Sequence, residues 1–306
     1  MPTFLCVFFF IGWCFLASSQ EKSHCFDSTL LIHSIQEFSS DSMGGRETGE
    51  TGGMKAQYYI QQRYRQLNLL QFDSTYFHAF NFANPFKKSK IKGVNLIGWI
   101  KGQTRPNKYM VISSHHDHLG IRNGAIYNGA DDNASGTCAL LSIAEYFSSY
   151  PPSCSIIFVA FDAEEMGLLG SKHFVSKPPV PLKNILFNLN MDMISRSKKN
   201  ELFICGTHHY PQLKILLNTV NSLSSTNVIF GHDSGSMRTE DWTFASDHGS
   251  FHKKKIPFVY LGVVDHEDYH KTTDDFERID PSFYIRSVRV AVDIAKRMDS
   301  ENAKED

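Results

Sequence analysis

Residues 109–118 read YMVISSHHDH, and residues 156–165 read IIFVAFDAEE. In both, a short apolar run rich in β-branched and aromatic residues stops abruptly at imidazoles or carboxylates. A run of that length and composition reads as a strand buried on both faces. Charged groups at the end of so apolar a strand need a reason to be there, because an unpartnered buried charge is costly. The same arrangement recurs twice more. Residues 185–190 (ILFNLN) lead into Met191-Asp192, and residues 257–261 (PFVYL) lead towards 265–270, DHEDYH.

Working outward, helical spacing predicts helices over residues 54–67, 134–150, 167–175, 213–223 and 281–298. Further strands are expected at 72–82, 93–101 and 202–205. Residues 41–53, DSMGGRETGETGG, read as a loop between helical segments. Strands alternating with helices predict a three-layer α/β/α sandwich around a mostly parallel, mixed central sheet. In such sheets the site lies beyond the carboxyl ends of the strands. Four strand ends here each deliver carboxylates or imidazoles. There is no internal repeat and no linker, so residues 20–306 are read as a single domain.

Composition narrows the function. The chain has 306 residues, 42% of them hydrophobic, with 31 Lys+Arg against 32 Asp+Glu and a formal charge of -1. That balance speaks against a nucleic-acid binder or a broad basic membrane-docking face. With 20 Gly and 11 Pro, the chain is neither collagen-like nor disordered by composition. Residues 4–17, FLCVFFFIGWCFLA, form the longest apolar run. They are short for a bilayer span and sit where a signal peptide would, with Ala17-Ser18-Ser19 offering a cleavage site. The expectation is a signal peptide at 1–19 and export, periplasmic or secreted, with no stable membrane span once it is removed. The absence of Lys or Arg ahead of the run leaves an uncleaved N-terminal anchor as the alternative. Beyond Cys6 and Cys14, the cysteines Cys25, Cys138, Cys154 and Cys205 lack CxxC spacing, so no thiolate metal site is indicated. Buried thiols and a disulfide both remain open for them.

Histidine and carboxylate donors without thiolate suit a catalytic zinc, or a pair of zinc ions sharing a carboxylate. On a strand, His115 and Asp117 point the same way, so Asp117 can hold the outer nitrogen of His115. His116 and His118 are also two apart, and spacing alone leaves that choice open. Residues 129–136, GADDNASG, read by themselves as a Gly-rich turn with an Asn or Asp helix cap. Glu164 beside Glu165 suits a general base next to a metal ligand. Asp274, four residues beyond His270, is placed to support that imidazole. Asp247 reads as a helix cap and His248 stays undecided. His266 reads as a solvated loop residue, and His208, His209, His232 and His252 as surface residues. Trp242, Phe244 and Tyr269 fit either a specificity pocket or the core.

Six segments in order, SHHDHLG, GADDNASG, FDAEEMGLLGS, NMDM, SDHGSF and YHKTTDD, resemble the zinc aminopeptidases of peptidase family M28, of the bacterial leucyl-aminopeptidase type. DSMGGRETGETGG also resembles a segment found upstream in that family, so the likeness runs over residues 41–280. The resemblance implies a zinc-peptidase (phosphorylase/hydrolase-like) fold and two Zn2+ per chain. His115, Asp131 and Asp192 would hold one, and Asp131, Glu165 and His270 the other, with Asp131 bridging. It further implies Glu164 as general base, a cis peptide between Asp131 and Asp132, and a peptide substrate with a free N-terminus. Three alternatives stand beside it. One is the single-zinc glutaminyl cyclase type, which shares the fold but lacks the GADDNASG pattern. Another is a carboxypeptidase or endopeptidase on the same fold. The third is a non-catalytic domain derived from a peptidase.

Overall fold

The computed structural model describes residues 26–83, 89–223, 226–235 and 240–303; the expected signal segment at 1–19 and Cys6, Cys14 and Cys25 lie outside the described residues. In chain order the strands are β1 (Phe77–Ala83), β2 (Lys90–Ile100), β3 (Arg105–His115), β4 (Gly120–Arg122), β5 (Ala125–Tyr127), β6 (Cys154–Phe161), β7 (Ile185–Met191), β8 (Glu201–Cys205), β9 (Asn227–Phe230) and β10 (Phe258–Gly262). The helices are α1 (Ser28–Phe38), α2 (Thr51–Gln66), α3 (Gly136–Ser149), α4 (Leu169–Ser176), α5 (Pro211–Leu223), α6 (His248–His252) and α7 (Pro281–Asn302).

Eight strands make one mixed sheet in the order β1-β2-β6-β3-β7-β10-β8-β9, and β4 and β5 form a separate hairpin. Its centre, β6-β3-β7-β10, is parallel, and antiparallel pairings flank it at β2·β6 and β10·β8. Every residue of β6 is buried, as a strand covered on both faces requires. Its alternate side chains enter different cores. Ile156, Phe158 and Ala160 belong to the core that α1, α2, α3, α5 and α7 also line. Ile157, Val159 and Phe161 pack with Phe174 of α4 and Phe251 of α6 on the other face. This is the expected three-layer α/β/α sandwich.

Local departures have physical causes. Helix α2 starts at Thr51, so it absorbs the TGG expected to be loop. There a Cβ on Gly52 or Gly53 would collide with the carbonyls of Met43 or Glu47, so this close approach requires glycine. Residues 72–76 bridge locally, Phe72 to Thr75, and Tyr76 accepts the Ile97 N–H at 2.8 Å before β1 begins. The short strands β4, β5 and β9 carry too few residues for a readable period. Cys138, Cys154 and Cys205 are buried free thiols. Among the described residues, no helix is long and apolar enough to cross a membrane.

Candidate metal centre

Parallel strands β3, β6, β7 and β10 bring their carboxyl ends to one edge of the sheet. His115 closes β3, and Asp192 directly follows β7. The His115 Nε2 lies 3.2 Å from Asp192 Oδ1 and 3.4 Å from Asp132 Oδ1. The other oxygen of Asp132, Oδ2, lies 3.1 Å from His270 Nε2 and 3.8 Å from His118 Nδ1. Glu165 completes the cluster, with Oε1 2.8 Å from His118 Nδ1 and Oε2 3.3 Å from His270 Nε2. Two sets of donors, His115/Asp132/Asp192 and His118/Asp132/Glu165, have ligand atoms close enough to hold a cation each, and Asp132 belongs to both.

The loop that delivers Asp132 is irregular. Gly129 takes a left-handed conformation (φ 54°), where a Cβ would strike the Asp132 carbonyl and the His118 ring. Asp132 and Asn133 have non-helical backbone angles, and the Asp132–Asn133 peptide is cis. Beneath the loop, the Asp274 carboxylate accepts the backbone N–H groups of Asp131 (3.1 Å) and Asp132 (3.0 Å). Burial, with Asp131 close by, pushes the Asp274 carboxyl up to about 6. Asn133 Oδ1 accepts the Gly136 N–H at 2.8 Å, at the first residue of α3.

The electrostatics describe a pocket that wants positive charge. Burial disfavours a charged His115, but Asp192, Glu164, Asp117 and Asp132 outweigh it and raise this imidazole well above its usual range. In the same way Asp132 and Glu165 overcome burial and raise His270 to about 10. Burial and Asp132 push the Glu165 carboxyl up, yet His118 and His270 bring it down to about 2. Asp132 Oδ2 is buried and left without a hydrogen bond, with His270 Nε2 3.1 Å away. Nitrogen and oxygen donors, an excess of carboxylate and an unsatisfied buried oxygen together fit a divalent cation of borderline hardness.

Glu164 differs from its neighbour. Both glutamates are largely buried, but their carboxyls are driven in opposite directions. Burial of the Glu164 carboxyl raises it well above the ordinary glutamate range; His115 pulls the other way, and Asp192, Glu165 and Asp247 add to the rise. A carboxyl beside the cluster but outside both donor sets suits a proton-transfer role.

The model of peptidase family M28 matches residues 95–295, more than half of the chain. The chain belongs to peptidase family M28. Among its relatives is the aminopeptidase YwaD of Bacillus subtilis, 33% identical over 199 residues, which are 60% of this chain and 40% of that protein. A glutamate carboxypeptidase 2 homolog of Caenorhabditis elegans is 35% identical over 123 residues, 38% of this chain and 15% of that protein. The chain thus spans less than half the length of these curated relatives. Two solved structures share the fold. The zinc aminopeptidase BSAP from Bacillus subtilis superposes with a TM-score of 0.73 at 17% identity, covering 88% of this chain and 95% of that one. Porphyromonas gingivalis glutaminyl cyclase reaches 0.74 at 17% identity, covering 90% and 99%.

For this M28 chain the structure brings His115, Glu165, Asp192 and His270 together, with Glu164 at their side, but it corrects the aspartate. Asp131, expected to bridge, faces elsewhere. Its Oδ1 accepts the Ser195 N–H and hydroxyl, both at 2.7 Å, and its Oδ2 lies 3.1 Å from His266 Nε2. Asp132 stands where Asp131 was expected, and the cis peptide is likewise one residue later. Asp274 supports the amides of that loop rather than His270. Asp117 divides its work. Its backbone carbonyl lies 3.1 Å from His115 Nδ1 and its carboxylate 3.7 Å away, while the carboxylate accepts the N–H groups of Glu164 (3.1 Å) and Glu165 (3.3 Å).

Other readings shift too. His266, expected in solvent, packs on Asp131. Asp247 occupies the cap position of α6 but makes no cap hydrogen bond, and burial pushes its carboxyl up to about 7. His248 is buried, donates from Nε2 to the Trp242 carbonyl at 2.8 Å and stacks on Tyr260. Tyr269 stacks on His270 at 3.9 Å, while Trp242 packs in a small core with Phe203 and Tyr260. His118 was the residue not singled out. Its spacing of two from His116 leaves both rings open in the sequence.

Proposed function

We propose that the chain is an exported aminopeptidase that works with two zinc ions and uses Glu164 as general base. The observation that carries this reading is Asp132, whose two oxygens face two separate sets of imidazole and carboxylate donors. His115, Asp132 and Asp192 would hold one zinc; Asp132, Glu165 and His270 would hold the other. His270 is preferred to His118 for the second position because its Nε2 lies within 3.3 Å of both carboxylates, whereas His118 lies 3.8 Å from Asp132. His118 then acts as the hydrogen-bond partner of Glu165.

A bound zinc pair supplies Lewis acidity towards the scissile carbonyl and lowers the pKa of water. The chain does the rest. Glu164 takes a proton from the attacking water and delivers it to the nitrogen of the leaving amine, so one water is consumed per peptide bond. Asp117 fixes Glu164 and Glu165 through their amides. A substrate's free α-amine would be anchored by a zinc or by a carboxylate of the site, which would confine cleavage to the first residue. Export is supported by the apolar run at 4–17 followed by small residues.

The test is metal analysis combined with substrate assays. Protein dialysed against zinc is expected to hold two ions per chain, to cleave an aminoacyl p-nitroanilide, and to leave its N-acetylated form intact. Cleavage of the acetylated peptide, or release of a C-terminal residue, would contradict the aminopeptidase. One zinc per fully active chain, with ammonia released from an N-terminal glutamine, would favour the cyclase.

A further inference from the structure

The part of the chain matched by the family model begins at residue 95, yet a side chain from well before it is buried against the ligand loops. Arg46 is fully buried. Its guanidinium donates four hydrogen bonds, all to backbone carbonyls. Nε donates to His116 O at 3.0 Å, Nη2 to Gly129 O at 2.9 Å, and Nη1 to Asn128 O at 2.5 Å and Phe38 O at 3.0 Å. The Phe38 ring lies against it, 5.0 Å from centroid to guanidinium carbon. Its own carbonyl accepts the His118 N–H at 3.3 Å. Arg46 is held in a left-handed conformation (φ 54°), a strained geometry for a residue with a side chain. Gly45 beside it packs so tightly under Gly120 and Tyr127 that a Cβ there would overlap their carbonyls.

Two of those carbonyls matter for the centre. His116 follows His115, and Gly129 opens the turn that delivers Asp132. One rigid, planar group therefore ties the end of β3 to the Asp132 loop. Arginine is suited to this, because its fork of donors reaches several acceptors at fixed angles where lysine offers a single point. Thr48, two residues on, extends the tie to β6. It donates to Asp162 Oδ1 at 2.6 Å and accepts the Ala163 N–H at 3.1 Å, next to Glu164.

We propose that Arg46 is a positioning residue of the metal centre, setting the separation of His115 from Asp132, so that the segment around it belongs to the working unit of the enzyme. The inference rests on the zinc reading above. Groups that orient metal ligands tune metal affinity, so loosening this tie is expected to show in zinc binding as well as in stability.

The experiment compares full-length wild type with Arg46→Lys and Arg46→Ala. Zinc affinity is measured by competition with a chromophoric chelator, the cobalt(II) absorption spectrum is recorded, and the melting temperature of the metal-free proteins is taken. Both variants are expected to bind zinc about 10–100-fold more weakly, the scale seen when groups supporting metal ligands are removed. The cobalt spectrum is expected to change shape. Millimolar methylguanidinium should restore affinity and spectrum in Arg46→Ala but not in Arg46→Lys, whose side chain still fills the space. Lowered melting temperatures with wild-type zinc affinity and cobalt spectrum would overturn the inference and leave Arg46 as a brace of the fold alone. Should Arg46→Ala fail to fold, Arg46→Lys with Thr48→Val makes the same comparison of affinity and spectrum. A wild type that binds no zinc overturns the metal reading itself, and this inference with it.

Discussion

Asp131 and Asp132 are adjacent in the chain, yet their carboxylates serve different partners: Asp132 faces His115 and His270, while Asp131 accepts from Ser195 and lies against His266. The pair separates the two jobs that the loop performs, holding cations and holding itself. Asp132→Asn is expected to drop zinc below one ion per chain and to lower kcat/KM by roughly 10^2–10^3, the scale of losing an electrostatic contact at the reacting centre. Asp131→Asn is expected to keep its zinc and to lose about 1–3 kcal/mol of stability through imperfectly made hydrogen bonds. Metal analysis and denaturant unfolding of both variants check this. A zinc-replete Asp132→Asn would show that the shared carboxylate is misassigned.

Glu164 offers a cleaner test of chemistry, because it belongs to neither set of metal donors. Glu164→Gln keeps the size of the side chain and removes its capacity to take a proton. Turnover is expected to fall about 10^2–10^4-fold with two zinc ions retained and KM little changed. Steady-state kinetics beside metal analysis read this directly. Substantial activity in the variant would assign the proton transfer to another group.

How far the sequence reached follows from where regular structure stops. The apolar runs at 109–114 and 156–161 are legible because burial on both faces dictates their composition, and they fall on β3 and β6. His115 is legible because it is the last residue of its strand. One step further the period of two no longer applies. His118 lies past the end of β3, and nothing in HHDH says which ring turns inward. The Asp pair is harder still. Which carboxylate enters the site depends on the left-handed Gly129 and on the non-helical Asp132 and Asn133, a conformation that no hydrophobic period encodes. Arg46 was hidden for a different reason. A polar residue in a Gly-rich stretch reads as surface, and only the folded chain shows that its charge is buried among carbonyls.

Removing the metal should be felt by the whole fold. Asp132, Glu165 and Asp192 converge from three segments, and their charge raises the His115 and His270 imidazoles above the usual range when no cation is present. Binding restricted to the folded state stabilises it by about 4 kcal/mol when free zinc is 1,000 times its dissociation constant. For a chain of this size that corresponds to a rise in Tm of roughly 10 °C. Calorimetry of the zinc-loaded protein, before and after a chelator, checks the shift. An unchanged Tm would mean that the converged donors hold no cation.

His248 predicts an acid-side loss of stability unconnected with the ligands. It is fully buried, stacks on Tyr260 and donates to the Trp242 carbonyl, while its Nδ1 finds no hydrogen-bond partner. Burial lowers this imidazole from 6.5 to about 3. Between those values the unfolded chain binds a proton that the folded chain refuses, so stability falls as pH drops below 6.5 and the loss is complete near 3. At pH 5 it amounts to about 2 kcal/mol, from 1.36 kcal/mol per pH unit. Buried Asp247 works in the opposite sense. With its carboxyl raised to about 7, the folded state gains stability as pH falls through that value. The two opposing effects are separated by comparing proteins that both keep Asp247. His248→Gln retains a donor for the Trp242 carbonyl and cannot be protonated. Urea unfolding of both proteins at pH 7 and pH 5 is expected to show the wild type losing about 2 kcal/mol more than the variant over that interval. Equal losses would mean that His248 is solvated or paired in the folded protein.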